Sequence, residues 1–297
     1  MSAVIERPPL DVAAPASHTG LARRAGRPRW RDPVPGFGLT LGLSLAWLGA
    51  VILLPLAALV LRSVDLGLEG WWGLLQSERV QQALWLSFST SFLAAGIASA
   101  VGTLLAWVLV RYRFPGRRLM DALVDLPFAL PTAVAGIALT ALYSGNGWVG
   151  QFLEPQGITI AQRPAGIVLA LVFIGLPFAV RTLQPILEAA TREFEEAAAT
   201  LGASRFTILR RVVFPPLVPA LLTGFSLAFA RGLGEYGSVI FIAGNIPFVS
   251  EIAPLLIVIR LEEYDYAGAT GIATLMLALS FLTLLALNLL QRRARHG

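Results

Sequence analysis

Residues 191–216 read TREFEEAAATLGASRFTILRRVVFPP, a charged island in a very apolar chain. Phe194, Ala197, Ala198 and Leu201 fall at i, i+3, i+4 and i+7, one apolar stripe on a short helix. Arg192, Glu193, Glu195 and Glu196 lie mostly on its other faces. Gly202 can turn the chain after a helix end. Ser204 is placed to N-cap a second short helix through Phe206, Leu209 and Val213. Pro215 and Pro216 stand where the next apolar segment starts, and proline suits a first helical turn. The expectation is two short helices bent at a glycine, between two membrane spans. A bent, half-apolar pair of that kind calls for a protein partner. On patterning alone the alternative is an ordinary connecting loop.

The surroundings are those of a polytopic membrane protein. Of 297 residues, 56% are hydrophobic and 14% charged, with mean hydropathy +0.71, whereas charged residues make up about 25% of a soluble domain. There is no cysteine, hence no disulfide frame or thiol chemistry. The two histidines, His18 and His296, lie in the tails, so a buried histidine metal or acid–base site is not expected. All 23 basic residues are arginine. Without lysine the chain can carry neither a Walker A phosphate loop nor Schiff-base chemistry. No metal and no cofactor is expected, and the chain is not expected to be an enzyme in its own right.

A hydrocarbon core of about 30 Å takes about 20 helical residues. Phe37–Leu61 and Leu86–Val110 meet that length. The second of these carries Ala94, Ala95, Gly96, Ala98, Ser99, Ala100 and Gly102, small residues that permit close helix packing. Leu126–Tyr143 is a third span, extended at its start through Asp121. Ala165–Val180 is a fourth that runs on past Arg181, with Pro177 and Pro185 shaping its descent. Pro216 to about Ala243 is a fifth, interrupted by Arg231 and Glu235, and Ala267–Leu290 is a sixth. Residues 1–36, rich in Pro, Ala and Arg, read as a disordered tail and not as a signal peptide. Residues 37–83 hold the first span and an outer loop, 84–290 the remaining five spans and 291–297 a C-terminal tail.

Arginine fixes the expected orientation. Eighteen of the 23 fall in the two tails, in 111–118 and in 181–211; Arg62, Arg79, Arg163 and Arg260 lie on the opposite side and Arg231 inside a span. By the positive-inside rule both termini and the 191–216 loop are cytoplasmic. The same distribution fits membrane topology and not nucleic-acid binding. The outer loops are acidic by comparison, and the apolar run Ile252–Ile259 in the last of them reads as a short interfacial helix, either packed on the spans or docking an external protein.

Arg231 and Glu235 are charges well inside a span, at i, i+4, flanked by Gly232, Gly234 and Gly237, a pattern that suggests a broken helix. They are candidates either for a translocation pathway or for a structural ion pair. Pro127, Pro131 and Thr132 in the third span are a candidate kink, either a gate or a shape that packs.

The loop resembles the signature of ABC-importer permeases. That signature is Glu-Ala-Ala, three residues, Gly, nine residues, an aliphatic residue, one residue, an apolar residue, Pro. It is met here by Glu196, Ala197, Ala198, Gly202, Val212, Phe214 and Pro215. The usual Ile and Leu are replaced by Val212 and Phe214, which keep the apolar character. More specifically, about Phe37 to Leu290 resembles the T-type permease subunits of bacterial sulfate/thiosulfate importers. The most telling stretches are Leu126–Leu139 (LPFALPTAVAGIAL), Arg231–Asn245 (RGLGEYGSVIFIAGN) and Arg260–Ala273 (RLEEYDYAGATGIA). Molybdate permeases are similar more weakly, sharing the Gly-Glu-aromatic-Gly element.

The resemblance implies an all-α membrane protein of six transmembrane helices, with the type-1 ABC importer permease fold and a cytoplasmic coupling-helix loop. The resemblance also implies a place in the bacterial inner membrane. Its implied partners are an ATP-binding subunit dimer, a second, W-type permease subunit and a periplasmic sulfate/thiosulfate-binding protein. Glu196, Ala197, Ala198, Gly202 and Pro215 would couple to the ATP-binding subunit: Glu196 through polar contacts, the alanines by permitting close approach, Gly202 by setting the bend. The substrate implied is sulfate or thiosulfate, with molybdate or tungstate as the alternative. A lone secondary transporter would need ionisable relays or an inverted repeat, and a membrane enzyme a nucleophile–base pair or metal cluster; the sequence offers one charge pair and neither of the others.

Overall fold

A computed structural model describes residues 36–190 and 192–296, with no account of the side chains of Arg192 and 293–296. The expected N-terminal tail lies outside the described residues. The chain divides into two compact units at Leu53/Leu54. In the first unit, residues 37–53 open helix α1 (Phe37–Ser63), with the side chains of Leu39, Leu43 and Trp47 exposed.

The second unit continues through α2 (Gly67–Gln76), α3 (Glu78–Arg111), α4 (Arg117–Val124), α5 (Leu126–Ala129), α6 (Thr132–Tyr143), α7 (Gly150–Leu153) and α8 (Pro164–Ala189). It ends with α9 (Arg192–Thr200), α10 (Arg205–Ile208), α11 (Phe214–Leu233), α12 (Val239–Ala243), α13 (Ala253–Glu262) and α14 (Tyr266–His296). Its centre is the mutual packing of α3, α8 and α11. Toward one end Ala106, Leu109, Val180, Leu183, Leu187, Val213 and Leu217 form a buried cluster. Toward the other, Ala94, Ile167 and Leu171 meet Val239, Ala243 and Leu255.

The small residues of α3 do part of what was expected of them. Ala94, Ala95, Ala98, Ser99 and Gly102 are buried at the helix crossings, whereas Gly96 and Ala100 point outward. The α3–α8 approach at Gly102 is tight, since a Cβ there would sit 2.7 Å from that of Ala179.

Among the described residues five helical segments are long and apolar enough to cross a membrane. The third expected span is not one helix. Its apolar part, α6, has 12 residues and reaches about 18 Å at about 1.5 Å per residue. Prolines make the breaks. Pro127 has no N–H to continue α4 and instead opens α5. Pro131 disfavours helical backbone at Leu130, which is extended (φ −86, ψ 134). Asp121 therefore belongs to a separate amphipathic helix, α4, ahead of the apolar segment.

The fifth span also departs from expectation at both ends. It stops at Leu233 and not near Ala243; the glycine-rich residues 234–238 are non-helical, and 239–243 form the separate helix α12. At its start it is continuous with the loop, as one helical segment from Arg205 to Leu233. Residues Leu209–Val213 form a π-helical turn joining α10 to α11. A π turn shifts the hydrogen-bond register by one residue, and Pro215 and Pro216, which have no N–H to place in the ladder, follow it after Phe214. The run 252–259 forms most of α13, whose Ala253, Leu255 and Leu256 are buried. That helix packs on α14 and α3, so one face of it serves the core.

Candidate functional site

The 192–216 segment folds as its residue types dictate. The first helix ends in a paired cap: Gly202 N donates to Ala199 O (3.0 Å) and Ala203 N to Ala198 O (3.0 Å). That 5→2 and 6→1 pattern needs a left-handed residue at the turn, and Gly202 supplies it with φ +83. Ser204 then caps α10, its Oγ accepting from Thr207 N at 3.3 Å. Glu196 and Ala197 are exposed, and Ala198 is half-buried. Phe194, Leu201 and Phe206 are 70%, 88% and 71% exposed. The apolar stripe read from spacing is therefore a surface of this chain and not part of its core.

The second candidate is a loop built around a buried carboxylate. Glu235 is 2% exposed. Its Oε2 lies 2.6 Å from Arg231 Nη1, and its Oε1 accepts from Ser238 N (2.9 Å) and Ser238 Oγ (3.1 Å). Three donors converge on this one carboxylate and hold the turn 234–238 in shape. The Arg231 side chain, 35% exposed, is the open member of the pair.

The third candidate meets the second. α6 starts at the Pro131 break, and its first turns lie against the 234–238 loop. A Cβ on Gly136 would stand 2.3 Å from Ser238 O, and one on Gly237 would stand 2.3 Å from Thr132 Oγ1. The structure thus brings Pro131 and Thr132 together with the Arg231–Glu235 loop, while 192–216 is a separate surface. Pro127 is buried in α5.

Charge pairs between distant segments complete the picture. Arg181 of α8 donates from Nε to Asp125 Oδ1 (2.8 Å) and from Nη1 to Asp121 Oδ1 (2.8 Å), tying α8 to the broken third segment. The Asp121 carboxyl is held below the usual carboxylate range, first by the Gln184 amide and also by Arg181, against partial desolvation that pushes it up. Arg79 makes a bidentate pair with buried Glu251 at 2.8 and 2.7 Å. Arg111, at the end of α3, binds Glu195 of α9 at 2.6 Å. Sequence reasoning used Arg79, Arg111 and Arg181 as topology markers and did not see these pairs. Asp121 and Asp125, four apart beside a span, were the signal for one of them.

Comparison with known proteins shows the family and the fold. Residues 98–296 match the family described as binding-protein-dependent transport system inner membrane component, and the chain belongs to that family. It is 52% identical to the sulfate transport system permease protein CysT of Synechocystis sp., over 86% of this chain and 89% of that protein. It is 48% identical to the protein of that name from Salmonella typhimurium, over 89% and 95%. Among solved structures, a bacterial ABC transporter involved in import of the acidic polysaccharide alginate superposes with TM-score 0.72 at 17% identity, covering 87% of this chain and 96% of that one. The fold is that of an ABC importer permease.

Proposed function

We propose that this chain is the membrane permease subunit of an ATP-driven importer that carries sulfate, with thiosulfate as a second substrate, across the bacterial inner membrane. The observation that carries the proposal is the near-half identity to sulfate permeases along most of both chains. Molybdate or tungstate import is the disfavoured alternative. ATP is hydrolysed by a dimer of partner chains, in keeping with the absence of lysine here. A second, W-type permease completes the pore, and a periplasmic binding protein delivers the anion. The arginine distribution supports cytoplasmic termini and a cytoplasmic 192–216 surface. There Glu196, Ala197, Ala198 and Gly202 engage the ATP-binding subunit, and Pro215 begins the span that the loop moves. Closure of the ATP-binding dimer then shifts the loop and rocks the attached spans.

Uptake of labelled sulfate, thiosulfate and molybdate by a strain lacking this chain tests the assignment. Sulfate and thiosulfate uptake is expected to disappear and molybdate uptake to persist. Unchanged uptake of the first two would refute the assignment.

For Arg231 and Glu235 the favoured role is a structural pair that shapes the 234–238 loop, because an arginine facing its own carboxylate offers an anion little net charge. Pro131 and Thr132 likewise serve packing against that loop more than gating, and Pro127, buried in α5, serves packing there. Arg231→Gln strands a buried carboxylate, a loss of about 3–5 kcal/mol, and is expected to reduce recovery of the assembled complex. The double change Arg231→Gln, Glu235→Gln removes both charges and is expected to restore recovery and sulfate uptake. An assembled double variant with uptake lowered tenfold would instead put Arg231 on the anion route.

A further inference from the structure

Among the described residues the α9 helix is joined to the spans by three routes. It follows α8 directly in the chain, with α8 ending at Ala189 and α9 beginning at Arg192. On its other side it packs against α10 and the π turn that runs into α11. The third route is a side-chain pair. Arg111 is the last residue of α3, and its Nη2 lies 2.6 Å from Glu195 Oε1 in the first turn of α9. The Arg111 side chain is 9% exposed and that of Glu195 28%. The guanidinium also sits over the Trp107 ring, 5.3 Å from its centroid, which restricts where the cation can go.

Electrostatics favours this arrangement from both ends. A cation at a helix C-terminus and an anion at a helix N-terminus each complement the local backbone dipole. Here the C-terminus of α3, Arg111, Glu195 and the N-terminus of α9 form a chain of alternating charge. Such a contact resists both separation and sliding of α9 relative to α3. A charge kept near the membrane boundary only for orientation would not need a carboxylate partner on the loop.

We propose that Arg111 is a positioning residue that fastens α3 to the coupling helix through Glu195, so that movement of the loop displaces α3 together with α8 and α11. The inference rests on the coupling role proposed for the loop.

The test uses the complete complex in liposomes, with its ATP-binding subunits and binding protein, and reads sulfate moved per ATP hydrolysed. Coupling energies between sites commonly correspond to about 5–150-fold effects. Arg111→Gln and Glu195→Gln are each expected to lower the ratio by about fivefold or more. The double variant is expected to be no worse than the poorer single, as for two residues acting through one contact. Arg111→Lys, which keeps the charge, is expected to retain most of the ratio. If Arg111→Gln does not assemble, Glu195→Gln on the more open partner carries the test. Wild-type ratios in an assembled Glu195→Gln complex, or single effects that multiply in the double variant, would overturn the inference. Gly202→Pro in the same preparation separates the two ideas. If it uncouples while the Arg111 and Glu195 variants do not, only this inference fails; if it too transports normally, the coupling role itself fails.

Discussion

Gly202→Pro and Glu196→Arg are each expected to cut sulfate uptake by about one to two orders of magnitude while the protein remains inserted and co-purifies with its partners. That range corresponds to losing a coupling free energy of about 1–3 kcal/mol. For Gly202 the cause is geometric. Its φ is +83, and proline is locked near −65°. Proline also lacks the N–H that Gly202 donates to Ala199 O. Both halves of the cap after α9 are lost, and α10 leaves α9 in a new direction. For Glu196 the cause is chemical: the side chain is exposed, so charge reversal disturbs little within the chain and acts on whatever the surface meets. Uptake and binding-protein-stimulated ATP hydrolysis, measured together, check both. Normal values in both variants would show that the loop does not couple.

Adding a single methyl group at Gly136 is expected to do comparable harm by a different route. The new Cβ would lie 2.3 Å from Ser238 O and 2.8 Å from Ser238 Cα. These are backbone atoms of a turn pinned by Glu235, so neither side can yield by rotating a side chain. Overpacking of this kind costs about 1–3 kcal/mol and sometimes more. Gly136→Ala is expected to lower the thermal midpoint of the purified complex by several degrees and to depress uptake. Gly96→Ala is the control, because a Cβ at Gly96 meets nothing within 4 Å and alanine is the better helix former by about 1 kcal/mol. Equal behaviour of the two variants would show that α6 does not press on the 234–238 turn.

Which features were readable follows from their range along the chain. The helix–glycine–helix of 192–208 was legible because caps and stripes are local: Gly202 and Ser204 act on neighbours within five residues. The glycines at 232, 234 and 237 announced a broken fifth span, although not that helix stops at Leu233 and resumes only for 239–243. The break at Leu130–Pro131 was read as a bend, since a proline pair specifies interrupted hydrogen bonds but not whether the helix axis survives them. Pro215 and Pro216 pointed to a fresh helix start, whereas the π turn before them carries the helix through. Arg111–Glu195 and Arg181–Asp121 join residues 84 and 60 positions apart. No periodicity encodes such partners; only the packing of α3, α8 and α4 brings them together.

The π turn at 209–213 has a mechanical consequence. A helix carries load through its regular ladder of i→i−4 hydrogen bonds, and that ladder is least regular where the register changes and two prolines follow. Elastic compliance is therefore expected at the entrance to α11, up to Pro219, the last proline inside that helix. Tilting of 192–208 is expected to be taken up partly as bending over about one turn, with the remainder passing into α11 as the rocking proposed for the attached spans.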